Sequence, residues 1–174
     1  MLVTQKNLSS IASSLRGSSY LGLDTETTGL KPYNGDRLFS IIISDAANDY
    51  YFNFQPYEDL QPEWILSRED TLDELRPIFL QRSTVWAVAN AKFDLAILQV
   101  EGINIKGEIW DTGPMGRILY NRHMKYGLDA ASQRIGASKD NAVEEYISKN
   151  RVYTWARNLR GEKKEKLLHY DRVP

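Results

Sequence analysis

The stretch Tyr20-Leu21-Gly22-Leu23-Asp24-Thr25-Glu26-Thr27-Thr28-Gly29-Leu30 is typical of a buried strand that ends in two carboxylates and a glycine turn. Alternate residues of a strand face the same side, so we expect Asp24 and Glu26 to point into one space. Two carboxylates held this close repel each other unless a hard cation lies between them. The stretch therefore predicts a Mg²⁺ site of the kind that supports phosphodiester hydrolysis.

A second segment, Val85-Trp86-Ala87-Val88-Ala89-Asn90-Ala91-Lys92-Phe93-Asp94-Leu95-Ala96-Ile97-Leu98, predicts a strand followed by a helix. Asn90 is a favourable residue to cap the helix. Asp94 falls in its first turn, where the helix dipole favours a carboxylate in any protein, so a purely structural role for Asp94 stays open. Phe93, Ile97 and Val100 fall on one helical face, which we expect to be the buried one.

Hydrophobic periodicity along the chain predicts an α/β fold in which three antiparallel strands come first and alternating strands and helices follow. The predicted strands span 19–25, 36–45, 49–54, 84–88 and 106–110. The predicted helices span 4–16, 67–81, 91–101, 112–122, 127–135 and 140–149. The charged segment 151–168 is expected to be partly disordered.

Composition and length indicate one ordinary globular domain covering residues 1–174. The absence of cysteine excludes disulfides and Cys-based zinc sites, and two histidines leave little basis for a His-built metal site. Apolar runs are too short to cross a membrane, and no apolar signal segment opens the chain, so we expect a cytoplasmic protein.

The C-terminal segment 146–174 is basic although the net charge of the whole chain is −1. It has 8 Lys/Arg against 3 Asp/Glu, and its interleaved aromatic residues are Tyr146, Tyr153, Trp155 and Tyr170. Cations bind phosphates and aromatic rings stack on unpaired bases, so the segment is a candidate nucleic-acid contact. The alternative is a solvated tail whose aromatic side chains pack onto the core.

These two carboxylate segments resemble the first and second motifs of the DEDD superfamily of 3′–5′ exonucleases, most closely the proofreading domain of family A, DNA polymerase I-like enzymes. The resemblance implies a ribonuclease H-like mixed sheet flanked by helices. It also implies that Asp24, Glu26 and Asp94 are catalytic and are three of the four carboxylates that hold two divalent ions, Mg²⁺ or Mn²⁺. Many relatives have His where this chain has Ala89.

The same resemblance implies a set of substrate contacts: Thr25, Thr27, Leu30, Asn90, Phe93 and Asp111. Residues near Thr27 and Leu30 would hold the terminal nucleotide, with Leu30 wedged against the last base and Asn90 near the scissile bond. Asp111 belongs to an Asp-Thr pair that opens a helix lining the substrate cleft in the family. The alternative for Asp111 is a plain N-cap, which its position also favours.

A third motif, Tyr-x-x-x-Asp or His-x-x-x-x-Asp, supplies the fourth carboxylate and a water-orienting Tyr in the superfamily. Counting on from His169 or Tyr170 arrives at Pro174 instead of an Asp. The approach to that motif, 169–174, resembles the family, as do Tyr126-Gly127-Leu128-Asp129 and 139–146. We therefore expect a domain that stops just short of its last catalytic element, as a fragment, a split gene product or a domain completed by another chain.

The resulting hypothesis is a metal-dependent 3′–5′ exonuclease domain that proofreads single-stranded DNA 3′ ends during DNA replication. Its expected partner is a polymerase domain in cis or on a second chain, and three carboxylates alone are expected to hydrolyse DNA poorly. One alternative is an RNA 3′ exonuclease of the ribonuclease D or T type. Another is a non-catalytic exonuclease-like module that binds nucleic acid or a partner.

Overall fold

A five-stranded mixed sheet forms the centre of the molecule, which a computed structural model describes over residues 1–54, 64–121, 127–137, 142–157 and 164–168. Its strands are β1 (Tyr20–Thr27), β2 (Leu38–Ser44), β3 (Asp49–Asn53), β4 (Val85–Val88) and β5 (Glu108–Asp111). They lie in the order β3-β2-β1-β4-β5. The first three pair antiparallel, whereas β4 and β5 extend the sheet from β1 in parallel. The predicted order of antiparallel and then parallel strands is confirmed.

In the part of the chain that the structure describes, six α-helices flank or extend the sheet. They are α1 (Leu8–Leu15), α2 (Arg68–Phe79), α3 (Ala91–Val100), α4 (Thr112–Leu119), α5 (Leu128–Arg134) and α6 (Ala142–Asn150). All six predicted helices are therefore confirmed, although α1 begins at Leu8 and not at Thr4. A short 3₁₀ helix at Pro32–Asn34, which periodicity did not predict, lies in the loop after β1.

The hydrophobic core lies between one face of the sheet and the helices α1, α2 and α3. Phe79 of α2 stacks on Trp86 of β4 with ring centroids 5.2 Å apart, and both side chains are fully buried. The opposite face of the sheet is more open, since Tyr20 and Trp110 both remain exposed there. The core thus fixes β1, β4 and α3, the elements that carry the predicted carboxylates.

The buried face of α3 differs from the predicted one. Ile97 and Leu98 are fully buried and Asp94 is 3% exposed, but Val100 is 47% exposed. The helix is rotated so that Asp94 faces β1, and residues three and four positions after Asp94 then face the core as well. The predicted face of Phe93, Ile97 and Val100 was therefore wrong at Val100, because the apolar pattern alone did not place the carboxylate inward.

The segment near the C-terminus contains a strand pair. β6 (Tyr153–Arg157) and β7 (Lys164–Leu168) form a separate antiparallel pair, with Trp155 opposite Lys166. The expectation of partial disorder over 151–168 was therefore wrong for these two strands: aromatic and β-branched residues in β6 favour a strand despite the surrounding charge. The predicted approach to a third motif, 169–174, lies outside the described residues, as do Tyr126 and 138–141.

Helices able to cross a bilayer are absent from the described part of the chain.

Candidate active site

The end of β1 presents its two carboxylates on the open face of the sheet. Asp24 is exposed and Glu26 is half-buried. Leu23, before them, and Thr25, between them, are buried on the core side. The prediction that Asp24 and Glu26 share one face is confirmed. The pairing of β1 with β2 changes register between Glu26 and Thr27. Such a bulge bends a strand and redirects its side chains, so the chain leaves the sheet directly after the carboxylate pair.

Asp94 is a buried carboxylate that binds the core side of the same strand. The hydroxyl of Thr25 donates a hydrogen bond to Asp94 Oδ1 at 2.7 Å. Burial raises the pKa of Asp94 to about 6, the Thr25 hydrogen bond opposes this rise, and the negative charge of Asp24 adds to it. Asp24 and Asp94 are therefore close enough to repel each other.

Desolvation also raises the pKa of two further groups near the end of β1. Although Asp24 as a residue is exposed, burial of its carboxyl group raises its pKa, and a backbone hydrogen bond from Thr25 opposes this rise. Burial raises the pKa of Tyr51 on β3, and the charge of Glu26 raises it further. Three acidic side chains thus concentrate negative charge around the end of β1.

Asp24, Glu26 and Asp94 offer the oxygen ligands that a hard divalent cation prefers. The structure does not bring all three side chains around one point. Among the described residues, no three Asp, Glu, His or Cys side chains are placed to hold a single ion. The group of β1 that bonds directly to Asp94 is the Thr25 hydroxyl, which lies between the two carboxylates of the strand. The mutually repelling pair of Asp24 and Asp94 fits Mg²⁺ or Mn²⁺, and Glu26 lies two residues, or about 7 Å, along the same face as Asp24.

The turn after β1 is fixed by its own hydrogen bonds. Thr27 Oγ1 donates to the carbonyl of Gly29 at 2.7 Å, and the Asp36 carboxylate accepts from Lys31 N at 2.7 Å. A Cβ at Gly29 would lie 2.5 Å from Asp36 Oδ2, so a larger residue there would displace the Asp36 carboxylate from the turn. The turn directs Leu30 into solvent, where its side chain is 82% exposed.

A cavity of about 430 Å³ lies between this turn and the first turn of α3. The residues that line it and that matter here are Leu30, Lys31, Tyr33, Asn90, Lys92 and Phe93. We call it the α3 pocket. It brings together three of the residues predicted to contact substrate: Leu30, Asn90 and Phe93.

The α3 pocket also contains functional candidates that the sequence analysis missed. Lys31 and Lys92 supply positive charge, and Tyr33 supplies a second aromatic ring beside Phe93. The signal was present in Leu30-Lys31-Pro32-Tyr33, which places a cation and an aromatic ring directly after the first motif. Cations for phosphates and rings for bases are the groups that bind unpaired nucleic acid.

Two predicted site residues stand at the starts of α3 and α4, and only one of them caps its helix with its side chain. Asn90 begins α3 in the left-handed conformation (φ 60°, ψ 48°), and its side chain makes no capping hydrogen bond. The prediction that Asn90 caps α3 was therefore wrong, because a left-handed residue does not aim its side chain at the first helical N–H groups. Asp111 caps α4 by accepting from Gly113 N at 3.1 Å, which confirms the N-cap alternative.

Three predicted substrate residues use their side chains for hydrogen bonds within the protein: Thr25, Thr27 and Asp111. The hydroxyls of Thr25 and Thr27 donate to Asp94 and Gly29, and the Asp111 carboxylate accepts from backbone N–H groups. Their predicted contact with substrate stays a prediction.

Comparison with known proteins gives both a family and a fold. DNA polymerase I of Borreliella burgdorferi is 27% identical over 152 residues, which are 86% of this chain and 16% of that protein. Escherichia coli RNase D, an exoribonuclease, superposes with a TM-score of 0.60 at 20% identity, over 83% of this chain and 35% of that one. Brucella melitensis NrnC with bound Mg²⁺ superposes with a TM-score of 0.55 at 21% identity, over 72% of this chain and 58% of that one.

The structural matches confirm the predicted ribonuclease H-like α/β fold. The chain spans about a sixth of the polymerase and between a third and three fifths of these two structures. A sequence model described as 3′-5′ exonuclease matches residues 1–164, nearly the whole chain. The protein therefore belongs to the 3′–5′ exonuclease family.

Proposed function

We propose that this chain is a metal-dependent 3′–5′ exonuclease domain of the proofreading type, which removes the terminal nucleotide from single-stranded DNA. The observation that carries the proposal is the α3 pocket, which joins predicted substrate residues, two lysines and two aromatic rings next to the turn that bears Asp94. A terminal nucleotide offers a base to the rings and a phosphate to the lysines.

In this proposal Asp24, Glu26 and Asp94 would hold the divalent ions. When bound, such ions supply a hydroxide nucleophile at neutral pH and stabilise charge on the phosphate and the leaving 3′ oxygen. The protein's own contribution is orientation: Thr25 fixes Asp94, and the α3 pocket places the terminal nucleotide. The hydrogen bond from Thr25 favours the anion of Asp94, which burial disfavours.

The sequence similarity to a DNA polymerase I supports single-stranded DNA as the substrate. It also supports a polymerase domain as partner, in cis or on a second chain. RNA is the second candidate, since E. coli RNase D, an exoribonuclease, shares the fold. In either case the terminal bases must be unstacked to enter the pocket, so single strands should bind better than duplex.

The test uses 5′-labelled single-stranded DNA and RNA of one sequence, with Mg²⁺, with Mn²⁺ and with EDTA. Because three carboxylates alone are expected to hydrolyse poorly, we expect slow metal-dependent shortening from the 3′ end. It should be faster on DNA than on RNA, and Asp24→Ala and Asp94→Ala should abolish it. Asp73→Ala, which removes an exposed carboxylate on α2, is the matched control and should act as the parent does. Faster cleavage of RNA would establish the ribonuclease alternative. Tight binding without cleavage would establish the non-catalytic module if cleavage stays absent when a second chain that supplies the fourth carboxylate is added.

Metal binding is tested separately from cleavage. Calorimetry with Mn²⁺ should detect a site that Asp24→Ala removes and Asp73→Ala leaves intact. Bound metal should also raise the melting temperature of the parent through linkage. Equal Mn²⁺ affinity in the parent and in Asp24→Ala would show that the carboxylates have been assigned wrongly.

A further inference from the structure

The Asp111 carboxylate, at the end of β5, binds the start of two different helices. Its Oδ1 accepts from Asn90 N and from Gly113 N, each at 3.1 Å, and its Oδ2 accepts from Ala91 N at 3.1 Å. Asp111 is therefore both the N-cap of α4 and the acceptor for the first N–H groups of α3. Hydrogen bonds from N–H groups to a carboxylate are stronger than those to a neutral acceptor.

The start of α3 depends on an external acceptor of this kind. Asn90 has a left-handed backbone, which Asn tolerates better than most residues but which still costs free energy relative to glycine. It makes no side-chain cap of its own. The first N–H groups of any helix lack partners within the helix. Here Asp111 supplies them from the neighbouring strand, and its negative charge also interacts favourably with the helix dipole.

The first turn of α3 contains the groups on which the proposed function rests. Asn90 and Phe93 line the α3 pocket, and Asp94 follows directly and accepts from Thr25. A second hydrogen bond links the ends of β4 and β5: Thr112 Oγ1 donates to the carbonyl of Val88 at 3.5 Å. The end of β5 thus sets the position of the segment between β4 and α3.

We propose that Asp111 is a positioning residue of the nuclease site, which acts by holding Asn90 in its left-handed conformation and thereby orienting Phe93 and Asp94. This inference rests on the proposed function for its catalytic consequence. It assigns the Asp111 carboxylate to the backbone of α3, and not to the substrate or to a metal ion.

Two variants and one matched control test the proposal. Asp111→Ala removes all three acceptor contacts, whereas Asp111→Asn keeps one carbonyl oxygen. Ser67→Ala removes a comparable N-cap from α2, where Ser67 accepts from Asp70 N at 3.4 Å. Amide hydrogen exchange under native conditions should accelerate about tenfold or more at Asn90 and Ala91 in Asp111→Ala, less in Asp111→Asn, and not at all in Ser67→Ala.

The kinetic measurement uses single-stranded DNA with Mg²⁺ well below the melting temperature of every variant. Misplacing catalytic groups by about 1 Å costs on the order of 10²-fold in rate, so kcat should fall by that much in Asp111→Ala. KM should rise much less, because Leu30, Lys31 and Tyr33 do not belong to α3. Asp111→Asn should recover part of kcat, and Ser67→Ala should keep kcat within about twofold.

The two proposals fail in different ways. A parent chain that neither binds Mn²⁺ nor shortens DNA or RNA counts against the proposed function, while the exchange rates at Asn90 and Ala91 still decide whether Asp111 orders α3. If exchange at these amides and kcat respond to Asp111→Ala no more than to Ser67→Ala, Asp111 is an ordinary cap of α4 and the inference is wrong.

Discussion

Asp94 combines two properties that oppose each other in the free protein. It is almost completely buried, which disfavours its charge, yet the site needs that charge to hold a cation. Thr25 lowers the cost of the anion by donating to it, but Asp24 raises the cost again. The residue therefore links proton binding, metal binding and stability at one carboxyl group.

The first prediction concerns the pH dependence of stability without metal. The pKa of Asp94 rises from an ordinary value of 3.8 to about 6 on folding, so between these values the folded state binds more protons than the unfolded state. The free energy of unfolding in EDTA should therefore fall as pH rises from about 4 to about 6, by up to about 3 kcal/mol.

Asp94→Asn is the control for this prediction, since it keeps the shape and an acceptor for Thr25 but cannot titrate. Urea unfolding at several pH values should show a smaller fall in Asp94→Asn, the remainder coming from Asp24, whose pKa is also raised. Parallel stability profiles of the parent and of Asp94→Asn would show that another group is responsible.

The second prediction isolates the bond between Thr25 and Asp94. Thr25→Val replaces the hydroxyl by a methyl group of similar size, so the anion of Asp94 loses its donor and its pKa should rise above about 6. Thr25→Ser keeps the hydroxyl and should leave the pKa close to that of the parent. The measurement is a titration of the Asp94 carboxyl carbon by NMR in EDTA; an unchanged pKa in Thr25→Val would contradict the prediction.

At the scale of elements, the link between β4 and β5 requires a close approach of two backbones. Gly107, just before β5, would place a Cβ 2.1 Å from the Thr84 carbonyl oxygen. No side chain fits there without moving one of the strands, and β5 carries Asp111 at its end. The packing of an edge strand is thus coupled to the start of α3.

The third prediction follows from this contact. Gly107→Ala should destabilise the protein by about 2 kcal/mol or more, because either β5 or the segment around Thr84 must shift. Gly116→Ala is the matched control: its Cβ would meet nothing within 4 Å in α4, and alanine favours a helix by up to about 1 kcal/mol. Melting temperatures of both variants decide the matter, and equal values would refute the prediction.

Most elements could be predicted from the sequence because their apolar periodicity is local. The runs that form β1, β2 and α2 are patterned strongly enough for burial to determine their type. The rotation of α3 could not be predicted, because it depends on Asp94 reaching Thr25 across the core. The same holds for Asn90: its backbone conformation is stabilised by Asp111, which lies 21 residues away in sequence.

The candidate site was predictable to a similar degree. Strand alternation placed Asp24 and Glu26 on one face, and the resemblance pointed to Leu30, Asn90 and Phe93, which do share a pocket. Lys31 and Lys92 come from different segments, so only the fold brings them together. The assignment of Asp24, Glu26 and Asp94 to a metal stays a prediction, since it requires ion binding to be measured.

For the whole molecule, two surfaces are candidates for binding phosphates. One is the α3 pocket with Lys31 and Lys92, and the other is the basic segment 146–174, of which 142–157 and 164–168 are described. The predicted nucleic-acid contact of the basic segment is untested. The chain as a whole is slightly acidic, so binding must depend on where its cations lie.

The last prediction therefore compares cations by position. Each phosphate contact to a single strand contributes about 0.7 to the slope of log K against log salt concentration. If Lys92 contacts a phosphate in the α3 pocket, Lys92→Ala should weaken binding of a single-stranded oligonucleotide in EDTA and reduce that slope by about 0.7. Lys31→Ala should do the same.

Arg82→Ala removes an exposed cation from the loop before β4, outside the pocket, and should leave the slope unchanged. Fluorescence anisotropy over a range of salt concentrations measures all three variants. Equal slopes in the parent and in both lysine variants would move the phosphate contacts away from the α3 pocket, and a reduced slope in Lys149→Ala or Arg151→Ala would then assign them to the basic segment.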